Sequence, residues 1–171
     1  LPIYIREDLE KMTIAQVMCE IADKLLEQGE SDLEAAGEVY ELLSVSLDRL
    51  DSETDSYLIL AQFTALALKT EGIEPVVDEC VLCSNTQVQT ISVEDGGFLC
   101  AECAAMVHAR PMEVGALKRF RLINKAQLVH FAQLRPYGPW TKKDAELLVE
   151  FLMLHSGVKL ESWRFLDRLA N

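Results

Sequence analysis

The sequence has no long hydrophobic run and no recognisable targeting segment. None of its apolar stretches approaches the roughly eighteen uninterrupted residues that a membrane-spanning helix needs. Its start, Leu1 to Asp8, lacks the basic residues and the apolar run of a secretory signal. We therefore expect a soluble, cytoplasmic protein. Because the chain begins without Met, we expect a fragment, a processed product or the ordered part of something longer.

Sequence patterns that carry catalysis are also missing. The chain has no glycine-rich phosphate loop, no H-E-x-x-H, no G-x-S-x-G and no clear pairing of a nucleophile with a base. The acidic residues of its first half are spread as solvated helix faces. These absences argue against an enzyme, and a hydrolase with an unrecognised site is the weakest of the readings that stay open.

Half of the 171 residues are hydrophobic, which is enough to bury a substantial core. The net charge of −12 is distributed very unevenly along the chain. Residues 1–79 contain nineteen acidic and five basic side chains, whereas residues 110–143 contain eight basic side chains and the single acid Glu113. Two segments of opposite charge predict different binding partners for the two halves.

Apolar residues recur at helical spacing over most of the chain, and turn residues separate the segments. We predict helices over residues 7–28, 33–51, 56–71, 113–123, 126–134, 141–156 and 160–169. The third is apolar on most faces, which predicts a central position in a bundle. Ser31 or Asp32 is the expected cap of the second helix, and Thr141 with Asp144 the cap of the helix over 141–156.

Four cysteines in two C-x-x-C pairs form the most specific pattern in the chain. The pairs are Cys80 with Cys83 and Cys100 with Cys103, and sixteen residues separate them. Such pairs can place four thiolates around one zinc ion in a closed, structural site. The alternatives are four buried thiols or two redox pairs, but the thioredoxin-like setting of redox pairs is absent. The remaining Cys19, beside Val17 and Met18, is expected to be a buried packing thiol.

The residues between the two cysteine pairs have the pattern of a β-hairpin. Residues 88–93 alternate like a strand, residues 94–97 provide a turn, and Phe98 and Leu99 begin a return strand. The expected fold is therefore mainly α: a bundle of about six helices with an inserted four-cysteine zinc-ribbon hairpin. We expect one helical domain over residues 1–171, with residues 79–104 as the inserted subdomain.

The basic segment after the cysteines is a candidate partner-binding surface. Lys118, Arg121 and Lys125 recur at helical spacing, beside the apolar Phe120 and Leu122. Cations beside an apolar strip suit phosphates, or an acidic peptide that ends in an apolar residue. The alternative is a solvated helix face that offsets the acidic half.

Four segments of the chain together resemble the C-terminal part of the bacterial DNA repair and recombination protein family RecO. They are Tyr4-Ile5-Arg6-Glu7-Asp8-Leu9-Glu10, the two cysteine segments Glu79 to Cys83 and Gly96 to Cys103, and the ending from Leu154 to Asp167. The Gly-Gly-x-Leu-Cys-x-x-Cys run is specific only in combination with that ending.

This resemblance implies an α-helical domain with an embedded four-cysteine zinc site, preceded in the family by an OB-fold domain that this chain does not contain. It also implies a recombination mediator that catalyses no covalent reaction. Such proteins bind and anneal single-stranded DNA, engage the acidic tail of the single-stranded-DNA-binding protein SSB and the partner RecR, and help to load RecA. Because the sequence pI is about 4.6, DNA contacts are expected mainly on the OB-fold domain. The alternative is a zinc-ribbon regulatory or assembly module of another cytoplasmic complex.

Overall fold

The computed structural model describes residues 8–28 and 33–169, which form a helical bundle with one small sheet. The α-helices are α1 (Leu9–Gln28), α2 (Leu33–Ser52), α3 (Ser56–Thr70), α4 (Ala101–Met106), α5 (Val114–Lys125), α6 (Phe131–Leu134), α7 (Lys142–Ser156) and α8 (Glu161–Leu169). The strands are β1 (Val88–Ser92) and β2 (Gly97–Cys100). The predicted mainly helical fold with an inserted hairpin is confirmed. Among the described residues, no helix is both long and apolar enough to cross a membrane.

Helix α3 lies at the centre of the bundle, as its sequence predicts. It packs against α1, α2, α5, α6 and α7. Most of its side chains are buried, including Leu58, Leu60 and Phe63, each at most 1% exposed. Burial on nearly every face explains why this helix shows no clear amphipathic stripe in the sequence.

The helix boundaries agree with the capping residues where these are described. The carboxylate of Asp8 accepts hydrogen bonds from the backbone N–H groups of Glu10 and Lys11, at 2.9 and 3.1 Å, and so starts α1. Thr141 and Asp144 form the predicted capping box at the start of α7, and Gly157 ends that helix with a φ of +74°. The cap expected at Ser31 or Asp32 lies outside the described residues.

The single helix predicted over residues 126–134 is wrong. Ala126 and Gln127 are extended, a 3₁₀ turn follows at Leu128–His130, and only then does the short α6 begin. The Nε2 of Gln62 donates to the Gln127 carbonyl and the Nη2 of Arg49 donates to the Leu128 carbonyl, each at 2.8 Å. These carbonyls are therefore satisfied by tertiary contacts rather than by a helical ladder.

The interpretation of Cys19 as a buried thiol is also wrong. Cys19 is exposed, although Val17, Met18 and Ile21 on the same helix are at most 1% exposed. At 100° per residue, position 19 falls just beyond the edge of the buried stripe of α1.

Candidate metal centre and partner surface

The hairpin that carries the second cysteine pair is antiparallel, with Ile91 opposite Phe98 and Ser92 opposite Gly97. Its turn is closed by the hydroxyl of Ser92, which donates to the carboxylate of Asp95 at 2.6 Å. At Gly96 the backbone takes a φ of +93°, which glycine adopts without steric cost. The turn therefore explains the first glycine of the Gly-Gly pair.

Gly97 is needed for a different reason, the close approach of a third extended segment. The Val76 N–H donates to the Gly96 carbonyl at 3.0 Å, and the Phe98 N–H donates to the Val76 carbonyl at 2.9 Å. A Cβ atom on Gly97 would lie only 2.3 Å from the Val76 carbonyl oxygen. The segment that leads into the first cysteine pair is therefore bound edge-on to β2.

The hairpin brings all four predicted cysteines together. The sulfur atoms of Cys80, Cys83, Cys100 and Cys103 lie within 4.8 Å of one another, and those of Cys83 and Cys100 are 3.6 Å apart. Tetrahedral zinc with bonds of about 2.3 Å places its sulfur ligands about 3.8 Å apart. The cluster thus has the donor set and nearly the spacing that a metal ion requires, and it can hold one that suits thiolates, such as zinc.

The local backbone favours thiolate at the first cysteine. Burial disfavours the charged form of Cys80, but N–H groups of Cys100, Leu82 and Cys83 point at its sulfur and lower its pKa to about 6. By contrast, the pKa of Cys103 is raised well above its ordinary value. The larger cause is a hydrogen bond to the Cys83 sulfur, and the smaller one is burial. Neighbouring thiolates repel one another, so a cation is needed for all four to ionise.

A tight turn places the first cysteine pair, and a junction between a strand and a helix places the second. The Ser84 N–H donates to the Cys80 carbonyl at 2.8 Å, and Ser84 has a φ of +60°. The second pair bridges the end of β2 and the first turn of α4, where Cys100 occupies the N-cap position. The sequence analysis did not anticipate α4, because six residues are too few for helical periodicity to be recognised.

Strand β2 lies between two buried clusters. Leu99 packs with the cysteines and Ala104 in a small cluster, whereas Phe98 faces the main core. The rings of Phe98 and Phe120 have centroids 5.8 Å apart, which joins the hairpin to α5. The alternation of side chains along the strand therefore couples the cysteine cluster to the bundle.

Two of the five predicted partner-binding residues have internal roles. Phe120 is only 3% exposed, so the expected apolar surface strip does not include it. The Nε of Arg121 donates to the Val77 carbonyl at 2.8 Å, and its guanidinium lies 5.1 Å from the centroid of the Phe98 ring. Arg121 thus ties α5 to the hairpin and to the segment preceding it.

The other three predicted residues lie on or near the surface of α5. Leu122 is half-buried, whereas Lys118 and Lys125 are exposed. The Lys118 ammonium is 4.8 Å from the centroid of the Tyr137 ring, and Lys125 forms an ion pair with Asp78. Both cations are therefore held at the surface by neighbouring side chains.

Arg119, which follows Lys118 directly, has a role that the sequence analysis missed. Its Nε donates to the carboxylate of the buried Asp144 at 2.8 Å. The other oxygen of Asp144 accepts from the N–H and the hydroxyl of Thr141, at 2.8 and 2.9 Å. The charge of Arg119 is thus neutralised inside the fold. Because Arg119 is adjacent to Lys118, the two side chains point to different sides of α5, and this was the only sequence signal that Arg119 faces inward.

These features define a class of protein: a helical domain that carries an inserted hairpin with a four-cysteine cluster. The chain belongs to the family described as Recombination protein O C terminal, whose model matches residues 6–164. It is 30% identical over 170 residues to the DNA repair protein RecO of Bacillus pumilus (strain SAFR-032), an alignment that covers 98% of this chain and 64% of that protein.

Two further relatives carry the same name. The DNA repair protein RecO of Desulfatibacillum aliphaticivorans is 30% identical, with 96% of this chain and 66% of that protein aligned. That of Anaeromyxobacter sp. (strain K) is 31% identical, with 97% of this chain and 65% of that protein aligned. The chain therefore spans just under two thirds of the length of these relatives.

Proposed function

We propose that this chain acts in DNA repair as the helical domain of a recombination mediator, and that it works by docking partners rather than by catalysis. The observation that carries the proposal is the family match over residues 6–164, together with relatives named DNA repair proteins. In this role the domain would support annealing of single-stranded DNA and loading of RecA in the cytoplasm, through contacts with SSB and RecR.

The cysteine cluster is proposed to hold zinc with all four thiolates, as a structural part of an inserted subdomain over residues 79–104 within one domain, 1–171. A zinc ion with four sulfur ligands has no open position for a substrate, and it contributes to folding rather than to chemistry. The hydrogen bonds of Val76 with Gly96 and Phe98, and the ring contact between Phe98 and Phe120 of α5, attach the hairpin to the bundle.

The proposed docking surface for the SSB tail is the exposed part of α5, with Lys118 and Lys125 as cations and Leu122 as a nearby apolar contact. An acidic peptide that ends in Phe offers carboxylates for the ammonium groups and a ring for the apolar side chains. Its carboxylates would compete with Asp78 for Lys125. Phe120 and Arg121 support this surface from within, through the contacts with Phe98 and Val77.

Binding of a short acidic, Phe-terminated peptide tests this docking surface. The double substitution Lys118→Glu and Lys125→Glu is expected to weaken binding at least tenfold, measured by fluorescence anisotropy. The matched control is Lys143→Glu with Lys159→Glu, which makes the same change in net charge at two other exposed lysines. Equal weakening by both pairs, or no binding by the unaltered chain, contradicts the proposal. Arg121 is left unchanged because its substitution would disturb the fold.

A further inference from the structure

A groove formed mainly by two helices of the acidic N-terminal part of the chain has the features of a second docking surface. It has a volume of about 540 Å³ and lies between α2, α3 and the 3₁₀ turn at Leu128–His130. That volume falls in the range of about 300–1,000 Å³ that is typical of ligand pockets. Apolar side chains form much of its lining: Leu42, Leu66, Leu128 and Val129.

The wall of this groove is held in place by partly buried hydrogen bonds. The Nη2 of Arg49 donates to the Leu128 carbonyl, and the Nε2 of Gln62 donates to the preceding Gln127 carbonyl, each at 2.8 Å. The guanidinium of Arg49 also lies 4.8 Å from the centroid of the Phe131 ring. A wall fixed on α2 and α3 in this way makes the groove preformed, which lowers the entropic cost of filling it.

An apolar side chain remains exposed on the rim of this groove. Val129 is 73% exposed, although the neighbouring Leu128 is half-buried. Exposed apolar surface at the edge of an apolar groove, with charged side chains around it, is typical of a protein-binding site.

The charge around the groove is mainly negative. Glu38 and Glu41 line it and are exposed, and the only base in α2, Arg49, points into the fold. Lys69 is the one cation among the described lining residues. The acidic side chains of residues 1–79 add to this negative field.

We propose that this groove binds a basic amphipathic helix of a partner protein, with Lys or Arg side chains opposite Glu38 and Glu41 and an apolar side chain against Leu42, Leu66 and Val129. The negative rim attracts the Lys or Arg side chains of the partner, and the apolar lining binds its apolar side chain. A helix laid into a groove presents both on adjacent faces, at spacings of three and four residues.

The test uses a synthetic peptide of about 15 residues with Lys and Leu at amphipathic helical spacing, and the intact chain. Glu38→Lys with Glu41→Lys is expected to weaken binding at least tenfold by fluorescence anisotropy. The matched control, Glu94→Lys with Glu102→Lys, changes the net charge equally at two exposed acids in and next to the hairpin and is expected to stay within about twofold. Equal weakening by both pairs would mean general charge attraction and would overturn the proposal.

A second variant tests the apolar part of the surface without changing charge. Val129→Ser is expected to weaken binding about fivefold, while a scrambled peptide of the same composition binds at least tenfold more weakly than the amphipathic one. Unchanged binding by Val129→Ser, or equal binding of the two peptides, overturns the proposal. Sedimentation that shows a dimer of the chain, and a monomer for Val129→Ser, would mean that this face binds a second copy and would also overturn the proposal. Far-UV circular dichroism checks that each variant keeps its helices.

Discussion

A single carboxylate on α1 caps the last helix of the chain. The carboxylate of Glu20 accepts hydrogen bonds from the N–H groups of Glu161 and Ser162, at 2.9 and 3.0 Å, and from the Ser162 hydroxyl. Burial alone would raise the pKa of Glu20, but these hydrogen bonds favour the carboxylate and hold its pKa below the ordinary value of 4.5. A residue 141 positions away thus satisfies free N–H groups at the start of α8.

Glu20→Ala is expected to lower the free energy of unfolding by about 1–2 kcal/mol at pH 7, the cost of losing a helix cap. Because the folded pKa is depressed, the contribution of Glu20 is present above pH 4.5 and is lost as the pH falls through the folded value. Urea titrations of both proteins at pH 7 and pH 3 should therefore show a difference that shrinks in acid. Asp23→Ala, at an exposed acid on the same helix, serves as the control and should change stability little. A pH-independent difference would contradict this account.

The ion pair between Arg119 and Asp144 joins α5 to the start of α7. Its side chains are 15% and 8% exposed, so removing one partner leaves a buried charge. Asp144→Ala is expected to destabilise the protein by about 3–5 kcal/mol, measured by chemical denaturation. Glu27→Ala removes an exposed pair with Lys24 of similar length and should cost much less, because water screens that pair. Similar effects of the two substitutions would show that burial does not determine how much each ion pair contributes to the free energy of unfolding.

Among the elements, the hairpin is the one whose stability we expect to depend most on a metal ion at the cysteine cluster. It has two short strands, and its cysteines form a cluster apart from the main core. Metal binding can supply on the order of 10–16 kcal/mol towards folding such a module.

Removal of metal by a chelator is expected to release the hairpin while the helices persist. Hydrogen exchange should show loss of protection at β1 and β2, with α1 and α3 still protected. Cys83→Ser should reduce the zinc content measured by mass spectrometry, because it removes one of four ligands. Cys19→Ser is the matched control, since this exposed cysteine lies outside the cluster. Full zinc content in Cys83→Ser would contradict a four-cysteine site.

Elements with strong local signals were predicted well, and those that depend on tertiary contacts were not. The capping box of α7 and the glycine after it mark that helix within a few residues, because each group bonds a neighbour in sequence. The segment over 126–134 has helical spacing, yet Arg49 and Gln62 capture its carbonyls. Those two donors come from 65 to 79 positions earlier, so no local pattern could have shown them.

At the scale of the whole molecule, net charge limits the affinity that this chain could have for nucleic acid. Its net charge is −12, and two of the bases in residues 110–143, Arg119 and Arg121, are engaged inside the fold. Phosphate contacts supply most of the affinity for DNA that is independent of sequence. The net negative charge opposes binding to phosphates, and these two of the eight bases are not available to a strand.

We expect this chain to bind an oligo-dT strand with a Kd of about 100 μM or weaker at 0.15 M salt, the weak end of non-specific affinities. Fluorescence anisotropy over a range of salt concentrations measures both the affinity and its salt dependence. Lys118→Glu with Lys125→Glu should remove what binding remains at low salt. Submicromolar binding at 0.15 M salt would mean that a DNA-binding surface on this chain has been overlooked.

The sequence by itself determined the helical class, the hairpin and the four cysteines of the cluster, because these depend on local periodicity, turn chemistry and spacing within about 25 residues. Tertiary structure alone decided which side chains are available at the surface. Phe120 and Arg121 have the residue types of a binding site, but Phe120 packs against Phe98 of the hairpin and Arg121 donates to the Val77 carbonyl, 44 positions earlier. The spacing along α5 does not record either contact. The acidic groove likewise exists only where α2, α3 and the turn at Leu128–His130 meet. Burial is set by contacts between residues far apart in sequence, and helical spacing records only which side chains share a face.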